Sequence, residues 1–347
     1  MSDPNRRAPR AAIVDVTGTV LSDAERALFE AYPPYAFILF RRNCESPEGV
    51  RALIASLRAC VGRDDAPILI DQEGGRVQRL SPPLWRGAPS AAHFGRLYQI
   101  DPEAGLEATR LNARLIASDL VDLGVSVNCA PVLDLALPGA HNVIGDRAFG
   151  GDPEMVANLA DAFAEGLREG GVIPVIKHIP GHGRAMVDSH YDCPIVHASS
   201  ADLRAKDFLP FQKFTGRGGD RAWAMTAHIV YEALDTAHPA TTSAAVIGNF
   251  VRGEIGFDGV LLSDDLSMQA LGGGAAERCV AALDAGCDFA LHCNGTLEER
   301  TALLTSVPAV SPDTLVRLAR CGQTMPPPVS FDRAAAVTRL DLLLSAA

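Results

Sequence analysis

The stretch Val172-Ile173-Pro174-Val175-Ile176-Lys177-His178-Ile179-Pro180-Gly181-His182-Gly183-Arg184-Ala185-Met186-Val187-Asp188-Ser189-His190 changes character at one point. Up to Ile176 it is an apolar run of strand length. From Lys177 on, fourteen residues hold a lysine, three histidines, an aspartate and two glycines. Unpaired cations and imidazoles are costly to bury, and glycine lets a backbone take positive φ and approach a ligand closely. The segment reads as a core strand that runs into a polar loop of active-site character. Pro174 cannot donate to a ladder, so it belongs near the start of that strand.

Working outward, the same change from apolar run to polar cluster recurs along the chain. Strand candidates are Ala11–Val16, Ala36–Phe40, Pro67–Ile70, Val125–Cys129, Val172–Ile176, Ala222–Ala227, Gly259–Leu262 and Phe289–Leu291. Helical patterns at Pro47–Val61, Pro102–Leu123, Pro153–Glu169, Ser199–Phe214, Ser243–Arg252 and Ala275–Ala285 lie between them. Ser46-Pro47 and Asp152-Pro153 place a capping residue before proline at the first helical position. The strands are almost continuously hydrophobic, as in a parallel sheet covered on both faces. This order predicts an α/β protein, a single-domain (β/α)8 TIM barrel with its core over about 11–308 and a C-terminal helical extension over 309–347. A doubly wound sheet is the main competitor, but the turn after the first strand, Asp15-Val-Thr-Gly-Thr19, has no G-x-G-x-x-G. Asp332–Ser345 reads as one more amphipathic helix.

Composition narrows the function. Hydrophobic residues make up 48% of the 347-residue chain, charged residues 21%, and the net charge is −11. That balance fits a globular protein and argues against nucleic acid or an anionic membrane surface as partner. No window reaches the eighteen or so apolar residues of a membrane span, and the first apolar run is too short for a secretory signal. The eight cysteines show no C-x-x-C pair, which points to reduced thiols in a cytoplasmic protein.

The polar clusters fall directly after strands: Asp71-Gln-Glu73-Gly-Gly-Arg76-Val-Gln-Arg79 after the third, Asp134 and then Gly145-Asp146-Arg147 after the fourth, Lys177-His178 after the fifth, His228 after the sixth and Ser263-Asp264-Asp265 after the seventh. In a barrel these points share the C-terminal rim, where active sites are built. Alternation puts Val260, Leu262 and Asp264 on one face and Leu261, Ser263 and Asp265 on the other. With the first set inside, Asp264 projects into the central pocket and Asp265 faces the helices, although an Asp pair at this place also suits simple helix capping. The histidine-rich loop admits three readings: zinc binding through His178, His182, His190 or Asp188, weakened because Pro180 and Gly181 prevent a helical i,i+4 pair; histidines that only bond the backbone; or Asp188 tuning His190 as a general acid/base.

Lys-His-Ile-Pro-Gly-His-Gly followed by Asp-Ser-His, with Asp-Gln-Glu-Gly-Gly-Arg upstream and Ser-Asp-Asp-Leu-Ser-Met downstream, resembles family 3 glycoside hydrolases over roughly Ala12 to Asn294. The Asp-Ser-His element resembles the hexosaminidase branch, the bacterial β-N-acetylglucosaminidases of cell-wall recycling. Ile179 departs from the phenylalanine that is commoner in the family, a change of packing. The resemblance implies Asp264 as nucleophile, His190 as acid/base with Asp188 as its dyad partner, and Asp71, Arg79, Arg147, Lys177 and His178 as substrate-binding residues. It implies hydrolysis with retention, acting from chain ends, with no metal and no cofactor. The implied substrate is N-acetylglucosamine linked to 1,6-anhydro-N-acetylmuramic acid, with or without a stem peptide, and the protein is expected to act as a monomer on this small-molecule muropeptide or a related GlcNAc-terminated saccharide. Two rivals are a phosphorylase of the same fold, since imidazole does not repel an anionic acceptor, and a non-catalytic muropeptide sensor that kept the pocket.

Overall fold

A computed structural model of the protein describes residues 8–139, 142–187, 193–218, 221–268, 271–327 and 329–345. Eight parallel strands form one sheet: β1 (Arg10–Val14), β2 (Pro34–Leu39), β3 (Ile68–Ile70), β4 (Val127–Asn128), β5 (Ile173–Ile179), β6 (Trp223–Thr226), β7 (Leu261–Leu262) and β8 (Ala290–His292). They bond in the order β8-β1-β2-β3-β4-β5-β6-β7, and a parallel bridge from Leu262 to Phe289 brings the sheet's two ends together. Chain order and ring order coincide, as repeated right-handed βα units require. All eight predicted strands are present, and this is the expected (β/α)8 barrel.

The helices at Pro47–Val61, Pro102–Leu123 and Pro153–Glu169 keep the bounds that their caps suggest: Ser46 Oγ accepts from the Gly49 amide and Asp152 Oδ1 from that of Met155. Two others differ. The region read as one helix over Ser199–Phe214 is broken into a turn at Ser200–Asp202, a π-helix at Leu203–Asp207 and a helix at Leu209–Gly216. Pro210 supplies no amide there, so a regular ladder through it is impossible. Ser243–Arg252 is largely a π-helix, Val246–Glu254. The expected helix after β7 is present as Ala275–Asp284, and with Asp23–Ala31, Ala91–Ile100 and Leu297–Ser306 it completes the shell.

Strand alternation divides the core in two. Ile13, Ile38, Leu69, Val127, Val175, Met225, Val260 and Leu262 fill the barrel, whereas Val14, Phe37, Ile70, Ile176, Ala224 and Leu261 pack outward against helices. At the N-terminal end Phe289 stacks on Tyr35, centroids 4.5 Å apart, and on Trp223 at 6.1 Å. Helix Pro312–Thr324 lies across this end, with Cys321 and Leu318 joining the interior cluster. The helix Arg333–Leu344 docks on the outer shell, where Arg333 pairs with Asp119 at 2.7 Å. The barrel is thus plugged below and open at its C-terminal rim.

Candidate active site

The first arm of the rim site is a small hairpin. Asp71 follows β3, and strands Gln72–Gly74 and Val77–Gln78 turn the chain back on itself. Arg79 thereby returns to Asp71, its Nη2 donating to Oδ2 at 3.0 Å. Gln72 clamps the hairpin: its Oε1 accepts from the amides of Arg79 at 2.9 Å and Leu80 at 3.0 Å, and its Nε2 donates to the Leu80 carbonyl at 2.9 Å. Asn128, at the end of β4, holds the Gln72 backbone through two bonds of 3.0 Å.

The second arm is β5, which runs three residues beyond the expected Ile176, so Lys177 and His178 lie inside the strand. Its register against β6 shifts between Lys177, opposite Met225, and Ile179, opposite Thr226. One extra residue has entered the strand at His178, a bulge of the kind that re-aims side chains beside active sites. Lys177 Nζ reaches Asp71 Oδ1 at 3.0 Å and Glu73 Oε1 at 2.7 Å. Arg147, in the 3-10 turn Gly145–Arg147, grips both oxygens of Glu73 at 2.9 and 2.8 Å. Burial raises both carboxyl pKa values, but the cations outweigh it. Lys177 and Arg79 hold Asp71 well below the usual carboxylate range, and Arg147 and Lys177 bring Glu73 down to about 2. Burial alone would lower the Lys177 pKa, yet Glu73 and Asp71 raise it above the ordinary value, so the ammonium stays charged.

Asp134 organises the histidines. Its Oδ2 lies 2.6 Å from His178 Nδ1, and its Oδ1 accepts from the amides of His178 at 3.1 Å and His182 at 2.6 Å. Burial raises this carboxyl, but His178, with contributions from His182, lowers it to about 2. An ionised carboxylate only accepts, so His178 carries a proton on Nδ1. Burial draws the His182 pKa down to about 4, which leaves that ring neutral near pH 7.

Asp264 lies beyond β7 on the same face as Val260 and Leu262, which fill the barrel. Burial raises its pKa, while His178, His228 and the Asp265 amide more than reverse this, so it is held below the ordinary value as a carboxylate. Asp265 accepts instead from Ser267 N and Oγ at 2.9 and 2.8 Å and from the Cys293 amide at 2.9 Å. Burial pushes its pKa up to about 6. The Asp pair thus divides into one residue facing the pocket's chemistry and one tied to neighbouring backbone.

These groups meet in a cavity of about 470 Å³ at the rim, whose lining includes Asp71, Arg79, Arg147, Lys177, His178 and Asp264. Its wall on the β2 side is Phe40, flanked by the guanidinium groups of Arg42 at 4.8 Å and Arg79 at 5.2 Å from the ring centroid. Four cations (Arg76, Arg79, Arg147, Lys177) and three carboxyl groups (Asp71, Asp264, Asp265) line it, and Glu73 stands behind, paired with Arg147 and Lys177. That balance suits a neutral, hydroxyl-rich ligand, for which charge-assisted hydrogen bonds are strong. Asp188 and His190 lie outside the described residues. Glu73 and Asp134 received no role from the sequence, although Glu73 stands two residues after Asp71, the spacing of a shared strand face. Tyr231 donates to the Gly181 carbonyl at 2.7 Å, so the loop after β6 supports the loop after β5.

Residues 15–315 match the model of the glycosyl hydrolase family 3 N terminal domain. A curated β-hexosaminidase of Alkalilimnicola ehrlichii is 40% identical over 311 residues, spanning 89% of this chain and 87% of that protein. NagZ of Neisseria gonorrhoeae, solved with N-trifluoroacetyl-D-glucosamine, superposes with a TM-score of 0.84 at 32% identity, over 97% of this chain and 98% of that one. A family 3 β-N-acetylglucosaminidase from Paenibacillus gives a TM-score of 0.83 at 30% identity; the match covers 96% of this chain and 66% of that longer one.

Proposed function

Because the chain belongs to glycosyl hydrolase family 3 and is a β-N-acetylhexosaminidase, we propose that it removes terminal β-linked N-acetylglucosamine with retention of configuration. The observation that carries this reading is the meeting of Asp264 with Asp71, Arg79, Arg147, Lys177 and His178 in one compact, charge-balanced cavity. In this reading Asp71, Arg79 and Lys177 hold the hydroxyls of the non-reducing end, and Arg147 and His178 complete the grip on the sugar. A pocket plugged below accepts a chain end and nothing longer beneath it.

The Asp264 carboxylate attacks the anomeric carbon as the bond to the leaving oxygen breaks, and His190 donates a proton to that oxygen. Water then attacks the glycosyl-enzyme, His190 takes the water's proton, and the C–O bond to Asp264 breaks to free the carboxylate. Asp188 orients His190 and favours its protonated form. The scheme uses no metal and no cofactor. The substrate is N-acetylglucosamine on 1,6-anhydro-N-acetylmuramic acid, with or without a stem peptide. That a Neisseria relative was solved with N-trifluoroacetyl-D-glucosamine supports the sugar class.

Proton NMR of the first-formed sugar, recorded with and without phosphate, tests the proposal. Free β-N-acetylglucosamine is expected in both. An α-anomer would overturn retention, a sugar 1-phosphate would identify a phosphorylase, and absent turnover despite sugar binding would identify a sensor. Asp264→Ala is expected to abolish turnover of 4-nitrophenyl β-N-acetylglucosaminide while the protein stays folded.

A further inference from the structure

Asp264 stands where the sheet no longer supports it. The ladder between β6 and β7 ends at Leu262 opposite Met225, two residues earlier. Beyond that point side chains take over from backbone partners on the β6 side, while toward β8 the Ser263 amide still donates to the Phe289 carbonyl at 3.0 Å and the Leu266 amide to that of Leu291 at 2.9 Å. The Asp264 amide donates to Thr226 Oγ1 at 3.3 Å, and Thr226 Oγ1 lies 2.8 Å from Thr241 Oγ1. Thr241 Oγ1 lies 2.7 Å from His228 Nδ1, and His228 Nε2 lies 2.9 Å from the carbonyl oxygen of Asp265. Thr226, Thr241 and His228 are each 0% exposed.

Hydrogen counting together with bond length sets the direction of every bond in this series. The Asp265 carbonyl can only accept, so His228 must donate from Nε2. Burial draws the His228 pKa below its ordinary value, against the pull of the nearby Asp264 carboxylate, so Nδ1 of the neutral ring is an acceptor. Thr241 Oγ1 also lies 3.1 Å from the Ala227 carbonyl oxygen, but Nδ1 is nearer at 2.7 Å and has no other donor, so Thr241 gives its single hydroxyl proton to Nδ1 and leaves Oγ1 to accept from Thr226. Thr226, having donated, accepts from Asp264. The series leaves the backbone at the Asp264 amide and returns to it at the Asp265 carbonyl.

We propose that His228, with its proton on Nε2, is a positioning residue for Asp264, closing with Thr241 and Thr226 a buried hydrogen-bonded ring that holds the Asp264–Asp265 backbone in place. The inference rests on the reading of Asp264 as nucleophile. A carboxylate that must approach the anomeric carbon on line gains from a fixed backbone, because small misplacements cost large factors in rate. The ring uses one proton per link and has no spare donor, so loss of one hydroxyl opens it.

Thr241 separates this role from mere packing, because valine keeps its shape without the hydroxyl and serine keeps the hydroxyl without the methyl. The experiment labels the full-length parent, Thr241→Val and Thr241→Ser with a 5-fluoro glycosyl fluoride of N-acetylglucosamine. Mass spectrometry locates the label, and the labelling rate and affinity for free N-acetylglucosamine are measured alongside. The expected result is label on Asp264, a rate lowered about tenfold to a hundredfold in Thr241→Val, a rate near the parent's in Thr241→Ser, and unchanged sugar affinity in both. Label on Asp264 with Thr241→Val as fast as the parent, or with Thr241→Ser as slow as Thr241→Val, overturns the ring alone. Label on a different carboxylate overturns the assignment of Asp264 and the ring with it. Should Thr241→Val lose sugar binding through misfolding, Thr226→Val and Thr226→Ser decide the question at the next link by the same contrast.

Discussion

Asp134 touches no cavity surface, yet it sets the proton on the ring that does. With an ionised carboxylate at Oδ2, His178 keeps its proton on Nδ1. In Asp134→Asn the amides of His178 and His182 still require an oxygen at Oδ1, so the new NH2 group faces Nδ1 and drives the ring to the opposite tautomer. The expected loss is about tenfold to a hundredfold in kcat/KM, read by steady-state kinetics, with little change in the fold. Unchanged kinetics would remove His178 from the grip on the sugar. The buried carboxylates also tie stability to pH. Glu73 falls from an ordinary 4.5 to about 2 and Asp134 from 3.8 to about 2 in the folded state. Their contribution is complete above the unfolded values and disappears as pH falls through the folded ones. Denaturant midpoints are expected to decline between about pH 4.5 and about 2, and Glu73→Gln is expected to flatten that decline. An equal slope in parent and variant would refute the linkage. At this scale the sequence made the rim residues legible by type and place: Asp71 and Asp264 follow strands, and Lys177 lies near the end of one. The partners that neutralise them were not legible, because Glu73 and Arg147 meet only once β3, β4 and β5 lie side by side.

The loop after β5 is the element to which the proposed function assigns the acid/base, and its glycines serve closeness as well as conformational freedom. Gly181 has φ of +137°, and a Cβ added at Gly183 would sit 2.3 Å from the Leu135 carbonyl oxygen. Tyr231 from below and Arg184 paired with the buried Asp207 at 2.7 Å fix the same segment. Gly183→Ala must therefore push this loop away from the segment that carries Asp134. A cost of about 1–3 kcal/mol is expected from such overpacking, read as a lowered unfolding midpoint, together with a larger activity loss on substrates with poor leaving groups. A variant as stable and active as the parent would mean that the two segments are not tightly packed. The elements themselves were largely visible in the chain, since strands were apolar runs and the long helices carried proline and capping residues. What stayed hidden was local irregularity. The bulge at His178 and the two π-helices depend on packing against neighbours, which no periodicity records. The helices Asp23–Ala31, Ala91–Ile100, Leu297–Ser306 and Pro312–Thr324 were not read from the chain, although Ser22, Thr296 and Ser311 cap three of them.

Over the whole molecule, stability and chemistry occupy opposite ends of the barrel. At the N-terminal end Asp288 accepts from the Leu261 amide at 2.9 Å, the Thr314 hydroxyl at 2.6 Å, and Arg252 and Arg317 at 3.0 Å each. Asp288→Asn leaves two guanidinium groups short of a buried countercharge, and a loss of about 3 kcal/mol is expected. Because no catalytic group lies there, kcat of the folded fraction should match the parent's. A fall in kcat at full folding would show that the bottom of the barrel communicates with its rim. Among the described residues no helix is long and apolar enough to cross a membrane. The barrel was readable from the order of strands and helices, whereas the stopper was not, because nothing in Pro312–Thr324 announces that Leu318 and Cys321 point into the strands' interior. That stopper makes the pocket a cul-de-sac. Under the proposed action from chain ends, a saccharide end that comes in through the rim has to back out through it, after the group it was cut from has cleared the way. Turnover is then a queue with one door, in which the freed sugar occupies the seat the next chain end needs.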